Sequence, residues 1–575
     1  MKLTNADLLL KYLENEGVEY MFGVPGLSLV SLFAALNRQD KIKPILAKHE
    51  EGAAFMADGY ARVKGTLGVC FATSGPGATN LITGVATSYL DNIPVMVLTG
   101  QVATNTAGGG AFQDSTKNGV DSVSMFDPIT RYSSMVISKY RVAEEIREAL
   151  RMAMTGKKGP VHLSLPKDIM AEEIDADLPT STSYRPPSEY FDRRLVIEAA
   201  EQLVNAQNPV ILIGSGAVAS KATEEIRDLA ETLCIPVATS PKAKGAFPED
   251  HPLSLGVLGF CGSPVAERCL TEGQTDVLLV IGSSLNQMTT SSWDPRLAPT
   301  KCLMHINIDA TDIGKSYKTD IPLIGDARTI INEISFRIMR YVAEDMKPKS
   351  NGAERVARIR KEVGICVAPE KMESKNVPVL PQRLIKELER ALPKDAILFV
   401  DTGNPMCWAI HHMQARTPDS FICPFGLLTM GYSTAAAIGG KLAAPDRPVV
   451  SVIGDGCFLM NGMEIQTAVS YDIPVVWIVE NNAKLGLVHE FQRLSFGEKT
   501  VTTRFKKIDA AKVAEGLGAK GYTIERPGEL EALLPKVIEE NKPAVIDCTI
   551  ADEVPPLGPF VQGLKNFSAR FEDSV

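Results

Sequence analysis

Two polar ends frame the segment that begins at Gly454-Asp455-Gly456 and closes at Asn481-Asn482. Each end follows an apolar run, VVSVI in the first case and VVWIV in the second. Carboxylate and amide oxygens are hard ligands that suit Mg²⁺ or Ca²⁺ better than zinc, and Mg²⁺ commonly shares its shell with phosphates and water. The flanking glycines permit close backbone approach, and a helix N-terminus after them favours an anion. This segment therefore predicts a Mg²⁺ site that also holds a diphosphate.

A second candidate lies near the start of the chain, where Glu50 and Glu51 precede the apolar stretch GAAFMADGYA. Acids at a helix N-terminus offset the helix dipole, an effect worth about 0.3–1 kcal/mol, and this is one interpretation. The other is proton transfer, because a carboxylate in a dry site interacts strongly with a bound proton partner. The residues alone leave both interpretations open.

The elements that must position these residues follow a regular alternation of strands and helices. Many predicted strands are apolar throughout, which is typical of parallel sheets buried on both faces. The segment from residue 449 to 482 has the size of one βαβ unit, roughly 30 residues. Its strands should be parallel, so Asp455 and Asn482 should lie at the same carboxyl edge, where open α/β sheets bind ligands. The predicted fold class is α/β, built from doubly wound parallel sheets.

The length of 575 residues predicts two to four domains. Polar stretches rich in proline, serine and charge, at about 176 to 194 and 346 to 378, are typical of linkers. They divide the chain into predicted domains at 1–178, 190–345 and 376–575.

The composition excludes several classes of protein. A hydrophobic content of 45% is ordinary for a globular protein, and a net charge of −9 gives no reason to expect nucleic acid or an anionic membrane as partner. The ten cysteines form no CxxC pair, and no apolar run approaches the roughly 20 residues of a membrane span. We expect a cytoplasmic protein with reduced thiols, without a nucleic-acid or membrane partner.

GDG followed by NN at this spacing resembles the signature of thiamine-diphosphate-dependent enzymes. The order of motifs over nearly the whole chain resembles the group of acetolactate synthase (acetohydroxyacid synthase) and pyruvate oxidase. The resemblance implies three domains: N-terminal pyrimidine-binding, central nucleotide-binding-like and C-terminal diphosphate-binding. It implies that the side chains of Asp455 and Asn482 and the backbone carbonyl of Lys484 ligate Mg²⁺. Gly456 and Cys457 would face the diphosphate of thiamine diphosphate.

The same resemblance assigns roles to the early motifs. Glu50 would be the catalytic glutamate, hydrogen-bonded to the pyrimidine ring so that the cofactor reaches its reactive tautomer, and Glu51 would be secondary. Gln113 would face the reacting centre, and Phe112 and Phe491 would shape the substrate pocket. In this family the glutamate and the metal site come from different subunits, which implies a homodimer or homotetramer.

Other contacts also follow from the resemblance. Met430 would wedge between the two rings of the cofactor. The remaining expected cofactor contacts are Gly26, Thr73, Gly77, Asn80, Thr402, Gly403, Asn404, Leu428, Gly454 and Gly486. The central domain would bind FAD or ADP, or stay empty, and its expected contacts are Gly214, Ser215, Gly216, Thr239, Gly259, Gly282, Asp309 and Asp326.

Some positions depart from the family pattern. Asn286-Gln287-Met288 stands where acids and an arginine are common, Asn307 stands at an acidic position, Phe491 replaces a tryptophan and Pro405 a histidine. These departures concern the substrate, the flavin and the diphosphate loop.

The expected activity is decarboxylation of a small 2-keto acid, pyruvate by default, with carboligation to a second carbonyl compound such as a keto acid or an aldehyde. A decarboxylase, an oxidase, an acyltransferase or a C–C lyase acting on a keto acid, an acyl-CoA or a diketone stays open. So do a regulatory subunit as partner, a non-catalytic assembly subunit and a nucleotide carrier.

Overall fold

The computed structural model describes residues 2–185, 190–272, 274–343, 350–558 and 560–561. Its N-terminal part has strands β1 (Lys2–Thr4), β2 (Tyr20–Val24), β3 (Lys43–Leu46), β4 (Gly68–Ala72), β5 (Val95–Gln101), β6 (Ser133–Met135), β7 (Val161–Pro166) and β8 (Glu173–Asp175). The helices of this part are α1 (Asn5–Asn15), α2 (Val30–Leu36), α3 (Glu50–Lys64), α4 (Pro76–Asn80), α5 (Ile82–Asp91), α6 (Ser122–Phe126), α7 (Val142–Met154), α8 (Lys167–Ala171) and α9 (Ser181–Tyr184).

The central part has strands β9 (Val210–Ile213), β10 (Val237–Thr239), β11 (Ser254–Val257), β12 (Val277–Ile281), β13 (Cys302–Asn307) and β14 (Ile321–Ile324). Its helices are α10 (Arg193–Asn205), α11 (Ser215–Ala219), α12 (Thr223–Leu233), α13 (Pro264–Thr271), α14 (Ala327–Ala343) and α15 (Gly352–Val363).

The C-terminal part has strands β15 (Ile397–Val400), β16 (Phe421–Ile422), β17 (Val449–Gly454), β18 (Val475–Asn481), β19 (Lys520–Ile524) and β20 (Ala544–Thr549). Its helices are α16 (Pro381–Ala391), α17 (Asn404–His412), α18 (Tyr432–Ala443), α19 (Asp455–Asn461), α20 (Ile465–Ser470), α21 (Gly486–Phe496), α22 (Ala510–Gly516) and α23 (Glu529–Glu539).

Each part is built on one six-stranded sheet, and the strand orders are β3-β2-β4-β5-β7-β6, β11-β10-β9-β12-β13-β14 and β16-β15-β17-β18-β20-β19. Within these three sheets every pair of neighbours is parallel. The central strands are buried along their whole length, for example β5 and β12, as the uniformly apolar sequence requires. The prediction of three α/β parallel-sheet domains is confirmed.

Two local predictions differ from the structure. The stretch from 346 to 378, predicted to be a linker, contains α15, because its Val356 and Ile359 form an apolar face that is buried against the central part. The predicted single helix of the βαβ unit is divided into α19, a 3-10 turn at Gly462–Glu464 and α20. The break falls at Asn461 and Gly462, which are poor helix formers. The domain limits stay predictions, and those at residues 1, 345 and 575 lie outside the described residues.

The N-terminal and C-terminal parts pack through α3 and α18. A Cβ atom on Gly59 would lie 2.1 Å from the carbonyl oxygen of Ala436, and one on Gly439 would lie 1.9 Å from that of Met56. Glycine at both positions therefore lets the two helix backbones touch. This contact fixes the direction of α3, whose first residue is Glu50.

Candidate active site

Glu50 is the first residue of α3, and His49 caps the helix by accepting the N–H of Glu51 on its side chain. The Glu50 side chain is buried, and Asn80 donates a hydrogen bond from Nδ2 to its Oε2 at 2.9 Å. A Cβ on Gly77 would lie only 3.1 Å from the other oxygen, Oε1. The structure thus brings Glu50, Gly77 and Asn80 together, and one carboxylate oxygen has no protein hydrogen bond among the described residues.

Gln113 lies beside this group on the loop after β5. Its backbone is left-handed, with φ of 58°, which is costly for a residue other than glycine. Thr73 Oγ1 donates to Gln113 Oε1 at 3.5 Å, and a Cβ on Gly26 would lie 2.3 Å from the same hydroxyl. Phe112 is 79% exposed and projects from the loop. Of these predicted residues, Gly26, Thr73 and Gln113 form one cluster and Phe112 stands outside it.

Asp455 and Asn482 meet at the carboxyl edge of the C-terminal sheet. Asp455 Oδ2 accepts the backbone N–H of Asn482 at 3.0 Å and that of Ala483 at 2.5 Å, while Oδ1 accepts the N–H of Gly456 at 2.8 Å. Burial raises the pKa of Asp455 to about 6, although these three N–H groups oppose the shift. Neighbouring parallel strands β17 and β18 end at the same level, so residues 27 positions apart come into contact.

Asn482 is held in place by a carboxylate that the sequence reasoning missed. Its Nδ2 donates to Asp552 Oδ1 at 3.2 Å, and the ammonium of Lys484 lies 3.0 Å from the same oxygen. With Nδ2 engaged, the amide oxygen of Asn482 is the atom left for a ligand. Asp552 follows β20 in a polar tail, and the sequence offers no signal that connects it to Asn482.

Three buried carboxyl groups share this sheet edge, and we call Asp401, Asp455 and Glu480 the edge carboxyls. Burial raises the pKa of Asp401 to about 7, although it accepts N–H bonds from Thr402, Gly431 and Ser433. Burial and the nearby Asp455 raise the pKa of Glu480 to about 8. Neither oxygen of Glu480 has a hydrogen-bond partner among the described residues. Buried acids close together at one edge, one of them without any hydrogen bond, are the electrostatic condition that a nearby cation would relieve.

The loop that begins α17 supplies further unpaired oxygens. Thr402 Oγ1 and Asn404 Oδ1 are buried and have no hydrogen-bond partner within the described chain. Gly403 has φ of 117°, and a Cβ on Gly486 would lie 2.4 Å from Asn404 Nδ2. Buried polar groups are normally paired, so their presence beside the edge carboxyls fits a site for Mg²⁺ and a diphosphate.

Comparisons with known proteins agree with this geometry. Three models of thiamine pyrophosphate enzymes match the chain: the N-terminal TPP binding domain at residues 3–125, the central domain at 196–334 and the C-terminal TPP binding domain at 401–548. The probable acetolactate synthase large subunit of Methanocaldococcus jannaschii is 38% identical over 576 residues, covering 97% of this chain and 94% of that protein.

The acetolactate synthase isozyme 3 large subunit of Escherichia coli is 33% identical over 557 residues, covering 95% of both chains. The acetolactate synthase of Mycobacterium bovis is 33% identical over 555 residues, covering 95% of this chain and 88% of that protein. The chain belongs to the thiamine pyrophosphate enzyme family. The predicted resemblance is therefore confirmed, and the two TPP binding domains coincide with the two clusters described above.

Within this thiamine pyrophosphate enzyme, Met430 and Leu428 lie on the loop before α18. Leu428 is left-handed, with φ of 57°, and Met430 Cε lies 3.4 Å from the position that a Cβ on Gly456 would occupy. The Sγ of Cys457 donates to the carbonyl oxygen of Thr402 at 3.3 Å. Phe491, on α21, packs with Leu428 against the core of the C-terminal TPP binding domain. Pro405 occupies the first turn of α17, where its missing N–H costs no helix hydrogen bond.

The two TPP binding domains contact each other near Glu50 through a residue that sequence reasoning missed. Glu464, which is 1% exposed, accepts the backbone N–H of Lys48 at 3.0 Å and that of His49 at 2.9 Å. Among the described residues, no hydrogen bond joins Glu50 itself to Asp455. Glu50 and Asp455 thus lie in two separate clusters, and Glu464 supports the segment that leads into Glu50.

The central domain gathers several of its predicted glycines at the carboxyl edge of its sheet. The N–H of Gly216 donates to the carbonyl oxygen of Gly282 at 2.9 Å, and a Cβ on Gly214 would lie 2.3 Å from that oxygen. Ser215 begins α11 beside them, and the Thr239 hydroxyl is buried without a partner in the described structure.

The other predicted nucleotide contacts already have protein partners. Gly259 has φ of 97°, and a Cβ there would lie 2.2 Å from the carbonyl oxygen of Met288. Asp309 is paired with Lys157 at 2.8 Å; burial opposes ionisation, but the bonds from Lys157 and Thr311 lower its pKa to about 2. Asp326 accepts the N–H of Thr329 at the start of α14.

Within the described residues, every helix is too short or too polar to serve as a membrane span.

Proposed function

We propose that this protein decarboxylates a small 2-keto acid, with pyruvate as the default donor, and ligates the remaining unit to a second carbonyl compound. The relatives named acetolactate synthase align along nearly the whole chain and support this reaction. The observation that carries the proposal is the contact between Asp455 and Asn482 at a sheet edge where the buried Glu480 has no hydrogen-bond partner among the described residues. Mg²⁺ would offset the negative charge of that edge and link it to the diphosphate.

In the proposed site, Asp455, the amide oxygen of Asn482 and the backbone carbonyl of Lys484 hold Mg²⁺. The hydroxyl of Thr402 and the backbone around Gly456 contact the diphosphate. The buried acids of this edge favour a cation over the empty state, because two of them lie close enough to perturb each other. Asp552 orients the Asn482 amide for its ligand role.

Glu50 is the proposed proton partner of the cofactor. Asn80 occupies its Oε2, which leaves Oε1 to hydrogen-bond a ring nitrogen. When bound, thiamine diphosphate supplies the nucleophilic carbon and stabilises the charge left by loss of carbon dioxide. Gln113 is placed by Thr73 to hydrogen-bond the substrate, and Phe112 and Phe491 border the pocket.

We further propose that two copies of the chain complete each site. The apolar side chains of Leu459, Met460 and Met463 are 54%, 57% and 54% exposed on α19 and the following turn. This patch adjoins Asn461, which donates to Glu51 at 3.4 Å, so it borders the Glu50 half-site. A second copy that covers the patch would bring its own metal half-site toward Glu50.

The test is turnover by the purified protein with thiamine diphosphate, Mg²⁺ and a panel of 2-keto acids. The proposal expects carbon dioxide and a ligated hydroxy-keto acid, both abolished when Mg²⁺ is chelated. Release of carbon dioxide without a ligated product would indicate that the protein is a decarboxylase without ligase activity. If no keto acid releases carbon dioxide, the proposal fails and a lyase of acyl-CoA or diketones takes its place.

For the central domain we propose a nucleotide, FAD or ADP, at the edge formed by Gly214, Gly216 and Gly282. The close backbone contacts there support it, because glycines that let a helix start pack tightly on neighbouring strand ends are typical of nucleotide-binding sheet edges. The visible absorbance of the purified protein and the nucleotide released on denaturation separate FAD, ADP and an empty domain.

A further inference from the structure

A cavity of about 210 Å³ lies in the central domain, between α13 and α15. Its wall includes Arg355, whose Nη2 donates to the carbonyl oxygen of Pro209 at 2.7 Å. Pro209 immediately precedes β9, and Gln274, also in the wall, precedes β12. The cavity is therefore at the amino ends of these strands, on the edge opposite the Gly214–Gly282 contact. It is separate from the proposed nucleotide site.

The decisive feature is the guanidinium of Arg355. The residue is only 5% exposed, its Nε has no hydrogen-bond partner, and it forms no ion pair with any described residue. A buried cation without a counter-ion is costly, and proteins normally pair such groups. Burial lowers the pKa of Arg355 and raises that of the adjacent Cys269, so the thiol does not act as the counter-ion.

Charges at the rim of the cavity do not fill this role. Arg268 binds Glu272 at 2.6 Å, and Arg358 lies 4.0 Å from Glu362. The two rim carboxylates are thus engaged by the two rim arginines. The buried Asp276 attracts Arg355 from beyond ion-pair distance and is itself bound to Lys301, so Arg355 keeps no direct ion-pair partner among the described residues. The volume is sufficient for a small molecule rather than a single water.

We propose that this cavity binds a small oxyanion, a carboxylate or phosphate group, on the guanidinium of Arg355. Guanidinium presents parallel N–H donors that match two oxygens of such a group, which gives both strength and orientation. The anion completes the ion pair that the buried cation lacks.

Binding there joins two elements with contacts outside the cavity. The turn before α13 offers the carbonyl oxygens of Cys261 and Gly262 to His411 of the C-terminal domain, at 3.2 and 3.0 Å. From α15, Arg360 donates to the carbonyl oxygen of Ser254 at 2.7 Å. An anion held between α13 and α15 therefore stabilises the central domain together with its junction to the C-terminal domain.

The experiment uses the holoprotein saturated with thiamine diphosphate and Mg²⁺, so that the diphosphate site is filled. Inorganic phosphate and acetate are titrated separately at constant ionic strength, set with potassium chloride, by calorimetry and thermal unfolding. We expect one additional site per chain for at least one anion, and a rise in Tm of a few degrees near saturation. Binding of phosphate would indicate a ligand with a phosphate group, and binding of acetate would indicate a carboxylate ligand.

Arg355→Met should abolish that site. Arg355→Lys should weaken it about tenfold, since a compact ammonium loses the paired geometry. Arg194→Met is the matched control, because the Arg194 side chain is 90% exposed, and it should bind as the parent does. The proposal is overturned if neither anion binds the parent protein, or if Arg355→Met binds the anion as tightly as the parent does. Should Arg355→Met not fold, equally tight binding by Arg355→Lys overturns it.

Discussion

Replacing Glu464 by alanine should loosen the start of α3 and slow catalysis. The buried carboxylate accepts the N–H groups of Lys48 and His49 and, at 2.7 Å, the hydroxyl of Thr467. Lys48 and His49 directly precede Glu50, so Glu464 holds the backbone that presents the proposed catalytic acid. Burial raises the pKa of Glu464, and the same hydrogen bonds oppose that shift.

The magnitude follows from the bonds lost. A hydrogen bond to a charged group contributes about 1.5–3 kcal/mol, and three donors lose their acceptor. Lys48 and His49 are exposed enough for water to replace part of the loss, so we expect Glu464→Ala to lower the free energy of unfolding by about 3–5 kcal/mol. Displacement of Glu50 by a fraction of an ångström should lower kcat by about 10- to 100-fold.

Two variants sharpen this test. Thr467→Val removes one donor without touching Lys48 or His49, so it should cost about 1.5–3 kcal/mol and leave kcat within about twofold. Gly52→Ala should mimic the loss of Glu464, because its Cβ would lie 2.3 Å from Glu464 Oε1. Urea unfolding and the rate of carbon dioxide release are measured for each. Parental kcat in a folded Glu464→Ala protein would refute the positioning role.

Three further outcomes follow from the same geometry. Between about pH 4 and 8 the edge carboxyls keep protons in the folded protein that the unfolded chain has released. The free energy of unfolding without cofactor should therefore fall as pH rises over this range, by roughly 4 kcal/mol from Asp401 alone. Urea unfolding measures this dependence on pH, which should weaken once Mg²⁺ and thiamine diphosphate bind, and stability that rises with pH would contradict the assignment. Asp552→Ala should weaken Mg²⁺ binding about 10- to 100-fold by freeing the Asn482 amide, and unchanged affinity in a cofactor-dependent metal titration would exclude that role. Gly59→Ala should destabilise the protein by about 2–4 kcal/mol, because its Cβ would clash with the backbone of α18. Gly516→Ala has open space around it and should be neutral or slightly stabilising. Equal Tm values for the two variants would disprove the close α3–α18 contact.

The sequence predicted that Asp455 and Asn482 meet at one sheet edge, because the signals for this contact are local. Asp455 and Asn482 each end an apolar strand, and the rules of parallel sheets place such ends side by side. Glu50 could also be recognised as a candidate from the sequence, since it begins a helix after a strand. Its role nonetheless depended on resemblance, because an acid at that position also suits a helix dipole.

The residues that support the site could not be predicted in the same way. Lys48 and Glu464 are 416 positions apart, and only the packing of two domains brings them together. Glu480 lies between the apolar run of β18 and Asn481, so its buried carboxyl gave no separate pattern. The predicted linker concealed α15 because its charged face dominates the composition, whereas the buried Val356 and Ile359 define the helix. In each of these cases the structure depends on contacts between residues far apart in the sequence, which local patterns do not reveal.

The most direct test of the central claim compares Glu50→Gln with Glu51→Gln. The two acids are neighbours, but only Glu50 binds Asn80 in the proposed pyrimidine half-site. With thiamine diphosphate, Mg²⁺ and pyruvate, we predict that Glu50→Gln binds the cofactor within about threefold of the parent and loses at least about 100-fold in carbon dioxide release. Glu51→Gln should keep most of the activity. Normal turnover by Glu50→Gln, or equal losses in both variants, would contradict the account.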